Sequence, residues 1–247
     1  MEFLINAGKS DEARRILRES KNPALNGTER FDLYLKISTP EAIQFARERK
    51  DYSSLISYYH DVGEHSEVVD IFRSLTKQEL ASIKRRKLHM PLEEVFQSLR
   101  RVKPEDQRRL MTKLFDICYS EEEYDLCADI AILLDDEALM VRLLNIREEY
   151  LLHHDSRIKL LKHLSKSQPK RSIEELREFA EALINEKEDS SYELATKCII
   201  MLKELMSGDD WGAYLKSIYG RYYRKINLWS KLRRKGIGVQ KHERALQ

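Results

Sequence analysis

The sequence predicts an all-α fold, a right-handed α-solenoid of antiparallel helical hairpins with an irregular period. Three observations carry that expectation. Apolar residues recur three and four apart along nearly the whole chain, the spacing of one helix face, and the short alternating runs that a strand needs are scarce. Only 8 Gly and 5 Pro occur among 247 residues, which favours helices joined by short loops over a many-stranded sheet. Glycine-marked polar turns also separate paired helical patterns, as expected where a left-handed residue ends one helix and a second helix turns back.

In chain order, "LINAGKSDEARRIL" places Gly8 five residues before Ala13, and "YYHDVGEHSEVVDIF" places Gly63 five before Val68. "KELMSGDDWGAYLKSI" does the same with Gly208 and Ala213. In each, the glycine caps the first helix and the small or compact residue lets the second approach it closely. "FDICYSEEEYDLCADIAILL" reads as a fourth hairpin without its glycine. Helix starts are equally visible. Thr39 is the expected N-cap ahead of Pro40. Thr76 with Glu79, and Ser172 with Glu175, have capping-box spacing, and Pro104 opens another helix. Loops are expected at 21–28, 88–91 and 165–172. His153 and His154 are expected to end a helix, as is the basic cluster around Lys84, where positive charge complements the macrodipole. The first hairpin has only seven residues ahead of Gly8, as expected if a front portion is missing.

Charge is abundant and uneven. Charged residues make up 35% of the chain and hydrophobic ones 42%, the balance of a folded protein with a heavily charged skin. From Tyr214 onward there are ten Lys or Arg and a single acid, Glu243, so this end carries +9 and the rest −7. An acidic body with a basic end suggests a polyanionic partner. Cys118, Cys127 and Cys198 are too few and scattered for a disulfide framework and sit in apolar-periodic helices as small hydrophobes. The N-terminus lacks a secretory pattern, and no long apolar run spans a membrane, so the expected location is cytoplasmic. Phosphate-loop, dinucleotide, H-E-x-x-H and Cys-x-x-Cys motifs do not occur. No cofactor or metal is expected.

The stretch "GRYYRKINLWSKLRRKG", residues 220–236, holds seven Lys or Arg and three large aromatics. Trp211, Leu215, Ile218, Tyr222, Ile226, Trp229 and Leu232 fall three or four apart, which predicts one apolar stripe on a helix of about 24 residues. Packing then accounts for most of the aromatics but not for the cations. Lys216, Arg224, Lys231 and Arg234 lie away from the stripe, Arg221, Lys225, Arg233 and Lys235 on its flanks, and Tyr219 and Tyr223 near its margin. These eight cations are the candidate nucleic-acid-binding residues, holding phosphates while the leftover tyrosines stack on bases.

The Gly8, Gly63 and Gly208 turns, with Ala13, Val68 and Ala213, resemble those of tetratricopeptide-class helical repeats. There the glycine lies between helices A and B and the small residue early in helix B. The turns are 55 and 145 residues apart, against about 34 in that class, hence the irregular period. Residues 193–237, running into Leu228-Trp229-x-x-Leu232, resemble the closing helices of the repeat region that follows the zinc finger in prokaryotic SWIM zinc-finger proteins. The finger's Cys-x-Cys and Cys-x-His are missing, so zinc does not carry over, whereas an association with DNA machinery is implied. Arg147 to His153 and Arg157 to His163 fit the loose Arg-His spacing of helical HEPN-type ribonucleases.

The expected organisation is helical-hairpin repeats over 1–166, further hairpins with a basic capping helix over 167–235, and a flexible tail over 236–247. The function expected first is a non-catalytic interaction scaffold whose partner is another protein or peptide. Second is a protein holding DNA or RNA through the basic C-terminal helix, and third a helical ribonuclease.

Overall fold

The computed structural model describes residues 2–19, 27–83, 90–146 and 152–238. Among them there are sixteen helices and no strand, so the protein is all-α. The chain forms two compact units, Met1–Leu126 and Cys127–Gln247. The expected Lys84 cluster, Arg147, most of the 21–28 loop, half of the 88–91 loop and residues 239–247 of the tail lie outside the described residues.

The first unit holds α1 (Glu2–Asn6), α2 (Ser10–Glu19), α3 (Gly27–Leu35), α4 (Thr39–Arg49), α5 (Tyr52–Asp61), α6 (His65–Ser74), α7 (Lys77–Ile83), α8 (Leu92–Leu99) and α9 (Pro104–Ser120). Helix α10 (Tyr124–Leu133) begins in this unit and ends in the next. Packing is local in sequence. Helix α3 rests on α4 and α5, α5 on α6 and α8, and α8 on α9. The second unit continues with α11 (Glu137–Leu144), α12 (His154–Leu164), α13 (Pro169–Glu186), α14 (Asp189–Leu205), α15 (Gly208–Tyr222) and α16 (Ile226–Arg234). There α12 packs on α13 and α14, and α14 on α13 and α16. Fully buried Phe72 and Phe115 anchor the first core, and Ile130 and Met140 the second, each contributing about 1.5–3 kcal/mol.

Left-handed residues end several of the helices. Gly8 and Gly63 have φ +75° and +80°. At Gly63 its own N–H donates to His60 O at 3.0 Å and Glu64 N–H to Tyr59 O at 2.8 Å, the paired bonds of a Schellman end. Ala13 and Val68 are completely buried beyond their turns. Non-glycine residues do the same job elsewhere. Lys50 (φ 57°), Glu122 (65°), Asp135 (51°) and Lys187 (66°) are all left-handed, so the glycine-less fourth turn is closed by Glu122.

Gly208 does not fit this pattern. It has no positive φ and is the first residue of α15, behind Ser207, whose Oγ accepts from Asp210 N at 3.3 Å. Met206 and Ser207 are extended, so a stretched link replaces the left-handed turn, and Ala213 is exposed.

The caps show where local signals suffice. Thr76 and Glu79 form the expected box. Glu79 Oε2 accepts from Thr76 N at 2.9 Å, and Glu79 N donates to Thr76 Oγ1 at 3.2 Å. Ser172 does not cap. Pro169 opens α13 three residues earlier, leaving Ser172 buried inside it. The cap of α4 is Ser38, one residue before Thr39. His153 and His154 begin α12 rather than end a helix, with Asp155 complementing its N-terminus.

Glu79 is also a hub. Its Oε1 accepts from Lys50 Nζ at 2.7 Å and from Tyr52 OH at 2.7 Å. The Lys50 bond, then those of Thr76 and Tyr52, lower its pKa from 4.5 to about 2. Burial, with the Glu79 carboxylate, pushes Tyr52 up to about 12. Because Glu79 is depressed, its contribution is complete above pH 4.5 and is lost as pH falls towards 2. Glu79→Gln is expected to lose about 1 kcal/mol at neutral pH and to show a shallower acid-side fall than the native chain, measured by denaturant titrations across that interval.

An added Cβ meets nothing within 4 Å at Gly63 or at helical Gly212, so backbone preference alone sets the sign of a substitution. Gly63→Ala is expected to lower stability by about 1 kcal/mol, whereas Gly212→Ala raises it by about 0.5–1 kcal/mol. In thermal melts these become opposite shifts of a few degrees, at about 2–4 °C per kcal/mol.

Candidate nucleic-acid interface

The predicted 24-residue helix is two helices. Helix α15 ends at Tyr222, Lys225 takes φ −82° and ψ 76°, and α16 starts at Ile226. The break is closed at one carbonyl. Tyr222 O accepts Lys225 N–H at 2.9 Å and the Trp229 indole N–H at 2.8 Å. Trp229 also meets the Tyr219 ring edge-on at 5.0 Å between centroids. Its indole therefore replaces a helical donor, and the turn lets Leu228, Trp229 and Leu232 bury where α16 meets α14.

The break redistributes the expected stripe. Tyr214 and Ile218 form the buried face of α15. Ile226, expected inside, is 73% exposed, and Tyr223 is 52% exposed. Periodicity alone could not find this, because a stripe spaced three and four apart looks the same on a straight helix and a broken one.

The eight candidate cations divide into two groups. Arg221 makes a two-pronged ion pair with Glu181 on α13, its Nη2 donating to Oε1 at 2.7 Å, and that pairing raises its pKa. Lys231 Nζ lies 2.9 Å from Asp189 and 3.0 Å from Glu193, both on α14, and these bonds raise its pKa also. Both fasten the end of the chain to the acidic helices before it. The other six, Lys216, Arg224, Lys225, Arg233, Arg234 and Lys235, have no acidic partner among the described residues. Arg224 Nε donates to Tyr223 OH at 2.9 Å, its guanidinium 5.4 Å from that ring's centroid. Arg233 Nε donates to Trp229 O at 3.1 Å. Cations with no described carboxylate partner, five of them exposed and Lys225 half-buried, beside an exposed aromatic ring can hold a polyanion without sequence preference.

Other candidate chemistry is dispersed. Arg157 donates to Leu144 O at 3.1 Å and lies over the Phe179 ring, whereas His163 Nε2 faces Asp135 Oδ1 at 2.6 Å. Their six-residue spacing sends them to different neighbours. Cys118, Cys127 and Cys198 are buried, and burial pushes the Cys198 thiol up to about 12. No group of three or more His, Cys, Asp or Glu able to hold a metal occurs among the described residues. None of the described helices is long and apolar enough to cross a membrane.

Comparison of the chain with protein families, with curated proteins and with solved structures gave no match.

The two groups of side chains are separable by stability. Trp229→Phe removes the indole donor from Tyr222 O and is expected to cost about 1–2 kcal/mol, while Arg234→Gln stays within about 0.5 kcal/mol. Chemical denaturation of the two variants checks this.

Proposed function

We propose that this protein is a non-catalytic helical-repeat scaffold, an irregular α-solenoid of helical hairpins that binds another protein or peptide. The supporting observation is the local packing order. Helix α3 meets α4 and α5, and α12 meets α13 and α14, so with the exception of α5 on α8 the packed pairs are next or next-but-one neighbours, as in stacked hairpins. Recurring left-handed turns at Gly8, Lys50, Gly63, Glu122, Asp135 and Lys187 support the same reading. Stacked hairpins offer an extended face, and a charged lining selects a partner electrostatically.

A specific observation favours a second reading. Six cations clustered in sequence between Lys216 and Lys235 have no carboxylate partner among the described residues. In this reading the basic end contacts a nucleic-acid backbone.

Small-angle scattering tests the solenoid. A compact globule of this length has a radius of gyration of about 18 Å, and the proposal expects a clearly larger value; one near 18 Å sinks it. For the partner, affinity isolation after nuclease treatment should enrich a protein that rebinds the purified chain. Nucleic acid that co-purifies and leaves on a high-salt wash, with no protein rebinding, favours the second reading instead.

A further inference from the structure

We propose that the α15–α16 turn is a docking site for single-stranded nucleic acid, with Tyr223 as a stacking platform for a base and Arg224, Lys225 and Lys216 as its phosphate contacts. The inference rests on the polyanion reading and goes beyond it by naming the strand state and the aromatic group that selects it.

Tyr223 and Ile226 are two of the five exposed large apolar side chains among the described residues, and they flank the turn that carries Arg224 and Lys225. Of the nearby aromatics, Tyr219 and Trp229 pack on each other and Tyr222 lies under Arg221. Among the described residues Tyr223 instead meets Arg224, which lies over the ring and is hydrogen-bonded to its hydroxyl. An aromatic ring held by a guanidinium and otherwise open suits a base that has left its own stack. With Nε committed to Tyr223, the Nη groups of Arg224 remain for phosphate. Lys216 lies seven residues before Tyr223, on the same exposed face and roughly 10 Å away along the axis.

A duplex hides its base faces and would use the charges alone. An anionic bilayer is the weaker fit because α16 spends its apolar face, Leu228, Trp229 and Leu232, inside the fold, leaving no amphipathic face to embed.

The test is fluorescence anisotropy of the full chain with oligouridylate and oligothymidylate of about 12 nucleotides, and with a duplex of similar length, at low and near-physiological salt. The native chain should bind single strands about fivefold or more tighter than duplex. Tyr223→Ala should lose about fivefold or more for single strands and stay within about twofold for duplex, while Tyr223→Phe, which keeps the ring, retains binding. Arg224→Gln with Lys225→Gln should weaken both ligands and reduce the salt slope by about one per cation. Unchanged melting of these exposed-site variants establishes that they fold. If single strands and duplex bind equally and Tyr223→Ala has no effect, the stacking inference fails and the polyanion reading stands. Absence of binding to either at low salt overturns both. Sedimentation with phosphatidylserine vesicles, abolished by Ile226→Ser and without oligonucleotide binding, overturns them in favour of a membrane.

Discussion

Short helices cannot hide their apolar stripes alone, and the longest among the described residues, α13, has 18 residues. Each must pack on a neighbour, and about half of the links among the described residues, those at Gly8, Lys50, Gly63, Glu122, Asp135 and Lys187, share one backbone conformation. A residue at positive φ lets the two N–H groups after the helix reach its last carbonyls. Glycine does this without strain at Gly8, Gly63 and Gly236. Lys50, Glu122, Asp135 and Lys187 accept the same conformation at about 1–2 kcal/mol each. The gain is larger, since one well-buried Leu or Phe contributes a comparable amount and the helices that follow bury several residues each.

The C-terminal end solves the same problem differently. Helices α14 and α15 are joined by extended residues and a serine cap, and α15 and α16 by a break fastened through the Trp229 indole. Interrupting α15 exposes Tyr223 and Ile226 but frees α16 to bury three large side chains. The exposed turn is thus a consequence of packing the final helix, and it gathers two apolar side chains and two cations at one place.

Electrostatics follow the same division. Where a charge meets a complementary one it fastens helices. Lys50 and Tyr52 converge on Glu79, Arg73 bridges Asp70 and Asp106, and Lys231 spans Asp189 and Glu193. Six of the cations without a carboxylate partner among the described residues lie at the chain's basic end, where the sequence supplies almost no acids. Exposed pairs contribute little individually, so the uneven distribution bears more on partners than on stability.

By itself the sequence determined what depends on neighbours a few residues away. The helical class follows from spacing, the turns at Gly8 and Gly63 from glycine, and the Thr76–Glu79 cap from two side chains three apart. The basic end and its eight candidate residues were legible as composition. Tertiary structure decided the rest. Ser172 lost its cap because Pro169 starts the helix earlier, Lys187 turns left-handed without any glycine to announce it, and Arg221 and Lys231 found carboxylates about forty residues back in sequence. It also decided that the last stripe breaks after Tyr222. Periodicity records which residues are apolar but carries no account of where a carbonyl and an indole N–H must meet, and that meeting depends on α14 lying beneath α16.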